Sequence, residues 1–537
     1  MAVVLAQVGS TLRLIDPSTG TSNILSLPDG VTIDSTRTPS IATLARGAVI
    51  VYSPTRNLLL LADQTLILLV PRSPSTSLVA ATGAAGVLTG TYQYAFTFIR
   101  KDADDNIVTE SAMSALSNIV TPTADQVDLS SIDVSLDTTT VTGRRIYRTL
   151  SGGSLLYHLA DIDDNTTTVY TDNIPDATLS ILPSNEHNMV GPPGTETTDT
   201  YRLKRIISWK NRIWGVSDNP VELDLIRYTE DGLVYQWPNS LTAYPKGVEL
   251  HGVIAFAPRR DQLGIMKRGG LWQITGDSDA NFRIIQISVG KGGCIAARSV
   301  VTINDVVYWL GPDSIYEWNS SGVRSITDDT VRPWFISDRY FDRDQFPSAF
   351  AKYNPIRTQY ELHLVDVNES TSKVWVAYNI TNDRIYGPHR TDVGTLTCTT
   401  STETSDGIPK VLVGSSTGQV YTLTPGTYHD GTSTAIEMEI ITPYFSGNAP
   451  DIEHFWGELS ILSKIEDGGT LSIFPTVGRF DATEEASALS HDLTLGRERL
   501  ARLGTGAFVK LRLYNNQIDQ PVTIQGIEIP FHEIGRR

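Results

Sequence analysis

Thr91-Tyr-Gln-Tyr-Ala-Phe-Thr-Phe-Ile-Arg100 alternates aromatic with small or polar residues, so Tyr92, Tyr94, Phe96 and Phe98 share one face of a strand. Outward from it, Lys101-Asp-Ala-Asp-Asp-Asn106 supplies turn chemistry and Ile107-Val-Thr-Glu-Ser111 returns as a second strand. The same grammar continues through Arg144-Arg-Ile-Tyr-Arg-Thr149, a Gly152-Gly153 turn, Leu155-Leu-Tyr-His-Leu-Ala160, an Asp-rich turn and Thr166-Thr-Thr-Val-Tyr-Thr171. β-Branched and aromatic runs punctuated by Gly, Asp and Asn are hairpin signals. They define a β module of about 80 residues, residues 90–172, that interrupts a longer array of short hairpins.

The array repeats a loose theme of two short strands around a Gly-, Asp- or Asn-bearing turn. Lys204-Arg-Ile-Ile-Ser-Trp209 precedes Lys210-Asn211 and Arg212-Ile-Trp-Gly-Val216, and Val306-Val-Tyr-Trp-Leu310 precedes Gly311-Pro-Asp-Ser and Ile315-Tyr-Glu-Trp318. Recurrence every few tens of residues, without heptads, predicts a propeller of four-stranded blades, with Trp209, Trp214, Trp272, Trp309, Trp318 and Trp375 inside it. No WD or kelch signature fixes the number of blades. Residues 328–343 break the pattern and read as an excursion or short helix. Beyond about residue 431, five spaced strands from Ile436-Glu-Met-Glu-Ile-Ile441 to Val522-Thr-Ile-Gln-Gly-Ile-Glu-Ile529 predict a β-sandwich. Helical turns are expected only at residues 483–489 and 497–502. The fold class is therefore all-β, with a first propeller part at 1–89, an insert at 90–175, the rest of the propeller at 176–432 and a sandwich at 433–537.

A chain of 537 residues exceeds a single core. Two cysteines, Cys294 and Cys398, exclude a disulfide framework and any C-x-x-C metal pattern. The opening Met1-Ala-Val-Val-Leu-Ala-Gln lacks a basic start and a cleavage site, so a signal peptide is not expected, and no apolar run reaches the ~20 residues of a membrane span. The net charge of −17 is uneven: residues 90–180 hold 13 acidic and 5 basic side chains. Such a surface repels phosphate.

Asp102, Asp104, Asp105 and Asn106 resemble the start of an EF-hand loop, but Ile107 stands where the Gly is needed and Met113 where the bidentate Glu is needed. These residues read as a solvated hairpin turn, and Asp161, Asp163, Asp164 and Asn165 form a second acidic turn that supports an adventitious Ca²⁺ at best. Arg332, Asp338, Arg339, Asp342 and Arg343 could imitate a glycosidase channel, yet no recurring Asp box accompanies them. There is no H-E-x-x-H or G-x-S-x-G, and Gly290-Lys-Gly-Gly293 reads as a tight turn rather than a phosphate loop. No enzyme activity, cofactor or metal is expected. The basic groupings Arg497, Arg499 and Arg502, and Arg536 and Arg537, are either a solvated face paired with Glu484, Glu485 and Glu498 or a docking site for an acidic partner.

The order of parts resembles the tail nozzle (tail tubular, or hub) proteins of short-tailed bacteriophages, related to packaged-DNA stabilisation proteins. The residues that carry the resemblance are Arg144-Arg-Ile-Tyr-Arg-Thr149 and Tyr170-Thr-Asp172 in the insert, and Val509-Lys-Leu-Arg-Leu-Tyr-Asn515, Ile524-Gln-Gly-Ile-Glu-Ile529 and Gly535-Arg-Arg537 at the end. It implies a fibronectin-III-like insert and a virion component without cofactor, assembled in the host cytoplasm. It also implies a ring, typically hexameric, below the portal and adaptor, with tail fibre or needle proteins as further partners. Double-stranded DNA would pass without specific binding, and acidic turns at Asp102, Asp104, Asp105, Asp161, Asp163 and Asp164 would face the channel or the rim. The alternative from another class is a carbohydrate-binding propeller adhesin or receptor-binding tail protein, with Trp237 or Trp334 stacking on sugars.

Overall fold

The computed structural model describes residues 3–28, 30–44, 49–51, 56–179, 192–193, 201–246, 252–290, 292–327, 331–391, 393–423, 429–430, 434–447, 452–478 and 485–536. Two compact units divide the chain. One comprises Met1–Pro388, Thr397–Gly414 and Gly418–Tyr421; the other comprises His389–Leu396, Ser415–Thr417 and Thr422–Arg537. The boundary expected at 432/433 touches residues outside the described set. Helix is confined, among the described residues, to single turns at Asp176–Leu179, Pro333–Ile336 and a 3-10 turn at Arg343–Ser348. The last two lie within or beside the excursion expected at 328–343.

The array is a propeller of seven antiparallel meanders. The first has three strands, Val4–Val8, Thr11–Ile15 and Ser22–Ile24; the second has four, Ile41–Thr43, Val49–Val51, Leu58–Leu60 and Leu66–Leu68. Blades three to six begin at Leu203–Trp209, Ala255–Arg259, Val301–Ile303 and Phe350–Asn354, and the three-stranded seventh begins at Leu396–Glu403. Turn chemistry sets the first hairpin of several blades. Lys210 and Asn211 take φ of 50° and 55°, and Asn304 and Asp305 take 46° and 69°, the doubly left-handed turn that matches the twist of paired strands. From the second blade to the sixth, the first strand of each blade touches the first strand of the next.

Both faces of a blade are buried, which explains why Leu58-Leu59-Leu60 is a continuous apolar run. Leu58 and Leu60 pack with Leu12 and Leu14 of the first blade, whereas Leu59 packs with Leu203 and Ile206 of the third. Comparable apolar seams join blades three and four around Trp214 and Trp272, four and five around Met266 and Trp309, and five and six around Tyr308 and Tyr360. The sixth blade turns a different face to its other side, bearing Lys352, Glu361 and His363, all buried. The seventh sheet is tied back to the first by Lys410 Nζ donating to the Pro17 carbonyl at 2.7 Å and Ser405 N donating to Ser18 Oγ at 3.0 Å.

Between the second and third blades lies a two-sheet sandwich. One sheet runs Ile107–Glu110, Tyr94–Lys101, Gly143–Thr149, Leu156–Ile162; the other runs Tyr170–Asp172, Thr123–Ser130, Val79–Thr89. Tyr92, Tyr94, Phe96 and Phe98 do share its core, with Val127, Leu129 and Ile146. The strand Val79–Thr89 corrects the expected start at residue 90. Its small residues, Ala-Ala-Thr-Gly-Ala-Ala, carry no alternation and read as linker, yet it pairs with Thr123–Ser130. Ser111, Ser114 and Ser117, spaced by three, run along the part of Tyr94–Lys101 that Ile107–Glu110 leaves uncovered. Their hydroxyls accept from the amides of Phe98, Phe96 and Tyr94 at 2.9, 3.1 and 3.0 Å, sealing an edge that would otherwise be open. The sandwich is tied to the second blade by Thr140 Oγ1, which accepts from Leu68 N, and by Thr109 Oγ1, which donates to the Leu69 carbonyl.

The second unit also stacks two sheets. One runs Met438–Ile441, Phe508–Asn515, Thr470–Gly478, Leu489–Asp492; in the other Ile452–Ser463 is flanked by Arg497–Gly506 and by Ile524–Glu528 and Phe531–Arg536. Trp456, Ile461, Ile473 and Leu511 fill the space between. The helical turn expected at 497–502 is instead strand: Arg-Glu-Arg-Leu-Ala-Arg has helical spacing, but pairing with Ile452–Ser463 overrides propensity. Of the other turn, expected at 483–489, residues 483 and 484 lie outside the described set, and Leu489 opens a strand.

Candidate charged surfaces

The acidic turns of the insert are mostly engaged within the chain. Lys101 Nζ lies 2.8 Å from Asp163, 3.0 Å from Asp161 and 3.0 Å from Asp105. Asp161 is corrected from a turn to a strand residue: it belongs to Leu156–Ile162, opposite Arg145, whose Nε and Nη2 donate to its two oxygens at 2.7 and 2.9 Å. Burial opposes its ionisation, but Arg145, His158 and Lys101 together hold the carboxyl well below the usual range. Asp102 folds back on its own loop, accepting from the amides of Asp104 and Asn106 at 3.0 and 2.8 Å. Asp164 accepts from the amides of Thr167 and Thr166, both at 2.7 Å, which lowers its pKa. Asp104 is exposed, and its carboxylate has no partner among the described residues.

Where Asp105, Asp161 and Asp163 converge, they converge on an ammonium. Among the described residues no group of three or more His, Cys, Asp or Glu is placed to hold a metal ion. An open cleft of about 300 Å³ beside Lys101 is lined by Ile99, Asp105, Thr142, Gly143 and Asp163. These pairings leave the sign of the module unchanged, because 13 acidic groups still outnumber 5 basic ones. Two features had no signal in the sequence reading. Glu110 is buried, with Thr97 Oγ1 and Tyr147 Oη donating to one of its oxygens at 2.7 and 2.6 Å. Arg148, also buried, joins the sheets through Asp172 at 2.6 Å and Asp176 at 2.8 Å.

In the second unit the three central arginines come together. Arg502, Arg499 and Arg497 stand opposite Glu458, Ser460 and Leu462, and a bulge between Arg502 and Arg499 keeps all three on one face despite their uneven spacing. Glu528 stands opposite Ser460 on that same face and pairs with Arg497, while Arg502 faces Glu458 at 3.6 Å. The expected partners are bound elsewhere: Glu485 to Arg512 and Glu498 to His491. Glu484 and Arg537 lie outside the described residues. Arg536 is not part of the row, since its strand position is opposite Ile452, six residues along from Glu458.

The residues set out for carbohydrate are otherwise occupied. Trp237 is buried, its Nε1 donating to the Val234 carbonyl, a correction to its expected exposure. Trp334 is half-buried against Tyr340 and Phe341. Arg332 pairs with Asp313 at 2.6 Å, and Asp342 caps the 3-10 turn. Of the turn expected at Gly290-Lys-Gly-Gly293, Gly290 and Gly292 take φ of 68° and 71°, and Lys291 lies outside the described residues.

No family model and no curated protein matches the chain. Solved structures share a loose likeness. They include a virginiamycin B lyase from Staphylococcus aureus, with 11% identity over 72% of this chain and 94% of that one, at a TM-score of 0.29. AztD from Citrobacter koseri shares 11% over 78% and 92% at 0.30, and an exo-β-1,3-galactanase from Phanerochaete chrysosporium 11% over 82% and 100% at 0.24. Scores this low carry no argument about function, and the propeller assignment rests on the order of the sheets.

Proposed function

We propose that this chain is a non-enzymatic structural subunit of the tail nozzle of a short-tailed bacteriophage, assembled as a ring of six, the number the family resemblance implies, around the path of exiting DNA. The observation that supports the reading is the order of parts: two propeller blades, a sandwich, five further blades and a second two-sheet unit. An acid excess of −8 in residues 90–180 fits a conduit, because a wall that repels phosphate lets DNA slide without the drag of counterion-releasing contacts. With Asp105, Asp161 and Asp163 bound to Lys101, that repulsion comes from the net field of the module rather than from free carboxylates. Mass measurement and low-resolution imaging of the purified protein test the reading. A sixfold ring with a through-channel is expected; a monomer or trimer that binds glycans would replace it with the adhesin.

A further inference from the structure

We propose that copies of this chain join head to tail through two edge strands of the second unit, the arginine-bearing Arg497–Gly506 of one copy pairing with the glutamate-bearing Met438–Ile441 of the next. The inference rests on the ring reading above and names the contact that would build it.

Each strand ends its sheet: among the described residues, Arg497–Gly506 pairs only with Ile452–Ser463, and Met438–Ile441 only with Phe508–Asn515. Among the described residues their outer edges therefore carry no ladder partner, an arrangement natural proteins normally cover or block. On Arg497–Gly506 the outward row is Arg497, Arg499 and, past the bulge, Arg502. On the other edge Met438 and Ile440 stand opposite Asn515 and Leu513, the latter in the core, so the outward row is Glu437, Glu439 and Ile441. Arginines two residues apart on one edge thus match glutamates two residues apart on the other, with Arg499 and Glu437 the central pair, since Arg497 is also held within the chain by Glu528 and Glu439 by Arg512. Arg499 and Glu437 are exposed and neither has an ion pair among the described residues, while Ile440 and Ile441 are 43% and 52% exposed beside the glutamates.

The occupant that fits is a second copy. Two complementary edges on different sheets of one unit make a heterologous contact, which propagates and closes into a ring when the rotation allows. Main-chain bonds would supply the join, and the alternating charges would set its register and exclude like-with-like pairing.

The test uses the full chain in a Cys398→Ser background. A protein carrying Arg499→Cys is mixed with one carrying Glu437→Cys and oxidised, and masses are read with and without reductant. A mixed dimer is expected from the pair and not from either protein alone. In parallel, Arg497→Glu/Arg499→Glu and Glu437→Arg/Glu439→Arg should each weaken assembly about tenfold or more, and the four changes together should restore it. A ring without the cross-link, or one indifferent to both reversals, overturns this contact and leaves the nozzle reading standing. Cross-linked filaments or open chains support the contact and overturn the nozzle. A wild-type monomer at every concentration overturns both.

Discussion

Three buried side chains make the sharpest single-residue predictions. Burial raises the Glu110 carboxyl, and the bonds from Thr97 and Tyr147 only partly offset that. Its contribution is full below the unfolded value of 4.5 and falls as pH rises toward the folded one, so neutral pH is the costly side. Glu110→Gln keeps an oxygen for both donors and should raise stability at pH 7 by about 1 kcal/mol, with no gain at pH 4, in paired urea titrations. His363 shows the opposite titration. It is stacked on Phe350 at 4.8 Å between ring centroids, neither nitrogen has a hydrogen-bond partner among the described residues, and burial followed by Lys352 lowers its pKa. Lys352 and Glu361 form a buried ion pair beside it, 2.9 Å long. A neutral buried imidazole loses stability as pH falls below the unfolded 6.5. His363→Phe should flatten thermal stability between pH 6.5 and 5, and an unchanged slope would show that the loss originates elsewhere. Arg148 is the third. Arg148→Ala leaves the buried Asp172 carboxylate without its counter-ion, held by Tyr94 Oη and Ile174 N, and should cost about 3–5 kcal/mol, whereas adding Asp172→Asn, which removes the charge and keeps an acceptor for Ile174 N, should recover part of that loss.

At the scale of elements, turns and edges carry most of what is specific. A Cβ at Gly293 would lie 1.6 Å from the Arg268 carbonyl oxygen, so Gly293→Ala has to push two backbone segments apart. Its expected effect is a loss of several kcal/mol or failure to fold, read by melting temperature against Gly322→Ala, a site with open space but a φ of 116°. The legibility of elements followed their side chains. Tyr94–Lys101 was plain because Tyr92, Tyr94, Phe96 and Phe98 alternate and are all buried in one core. Val79–Thr89 was missed because small residues pack against Gln126 and Asp128 without contrast between faces. Arg497–Gly506 was misjudged because a bulge breaks the period of two that would have marked it as strand. The serine ladder at 111, 114 and 117 had a visible signal, a three-residue spacing, which strand and helix periodicities both pass over.

For the whole molecule, the propeller's seams are unequal. Five adjacent blade pairs, from the first to the sixth, share apolar clusters, but Val411, Leu412 and Val413 of the seventh are buried without joining any of the seven clusters resolved among the described residues. The seventh sheet meets a sixth-blade face that carries Lys352, Glu361 and His363, and closes on the first through hydrogen bonds. Amide exchange should therefore reach Pro409–Ser415 well before Gln262–Lys267, and equal protection would mean that the ring opens as one body. This unevenness was invisible in a sequence whose hairpins all look alike, whereas the array and the guest β module were legible from alternating strands and turn chemistry, and the sandwich form of the guest only from the family resemblance. That sandwich has one more property. Val79–Thr89 and Tyr170–Asp172 lie on either side of the same strand, Thr123–Ser130, so they are roughly 10 Å apart. To the propeller, some ninety residues amount to a short gap between two anchored points, so a handful of glycines and serines in their place should leave the seven blades folded but less stable, because Leu68 N, the Leu69 carbonyl and the blade core beside Ile107 and Val108 lose their cover. Away from that seam the guest is a cassette, able to change what it displays without renegotiating the body that carries it.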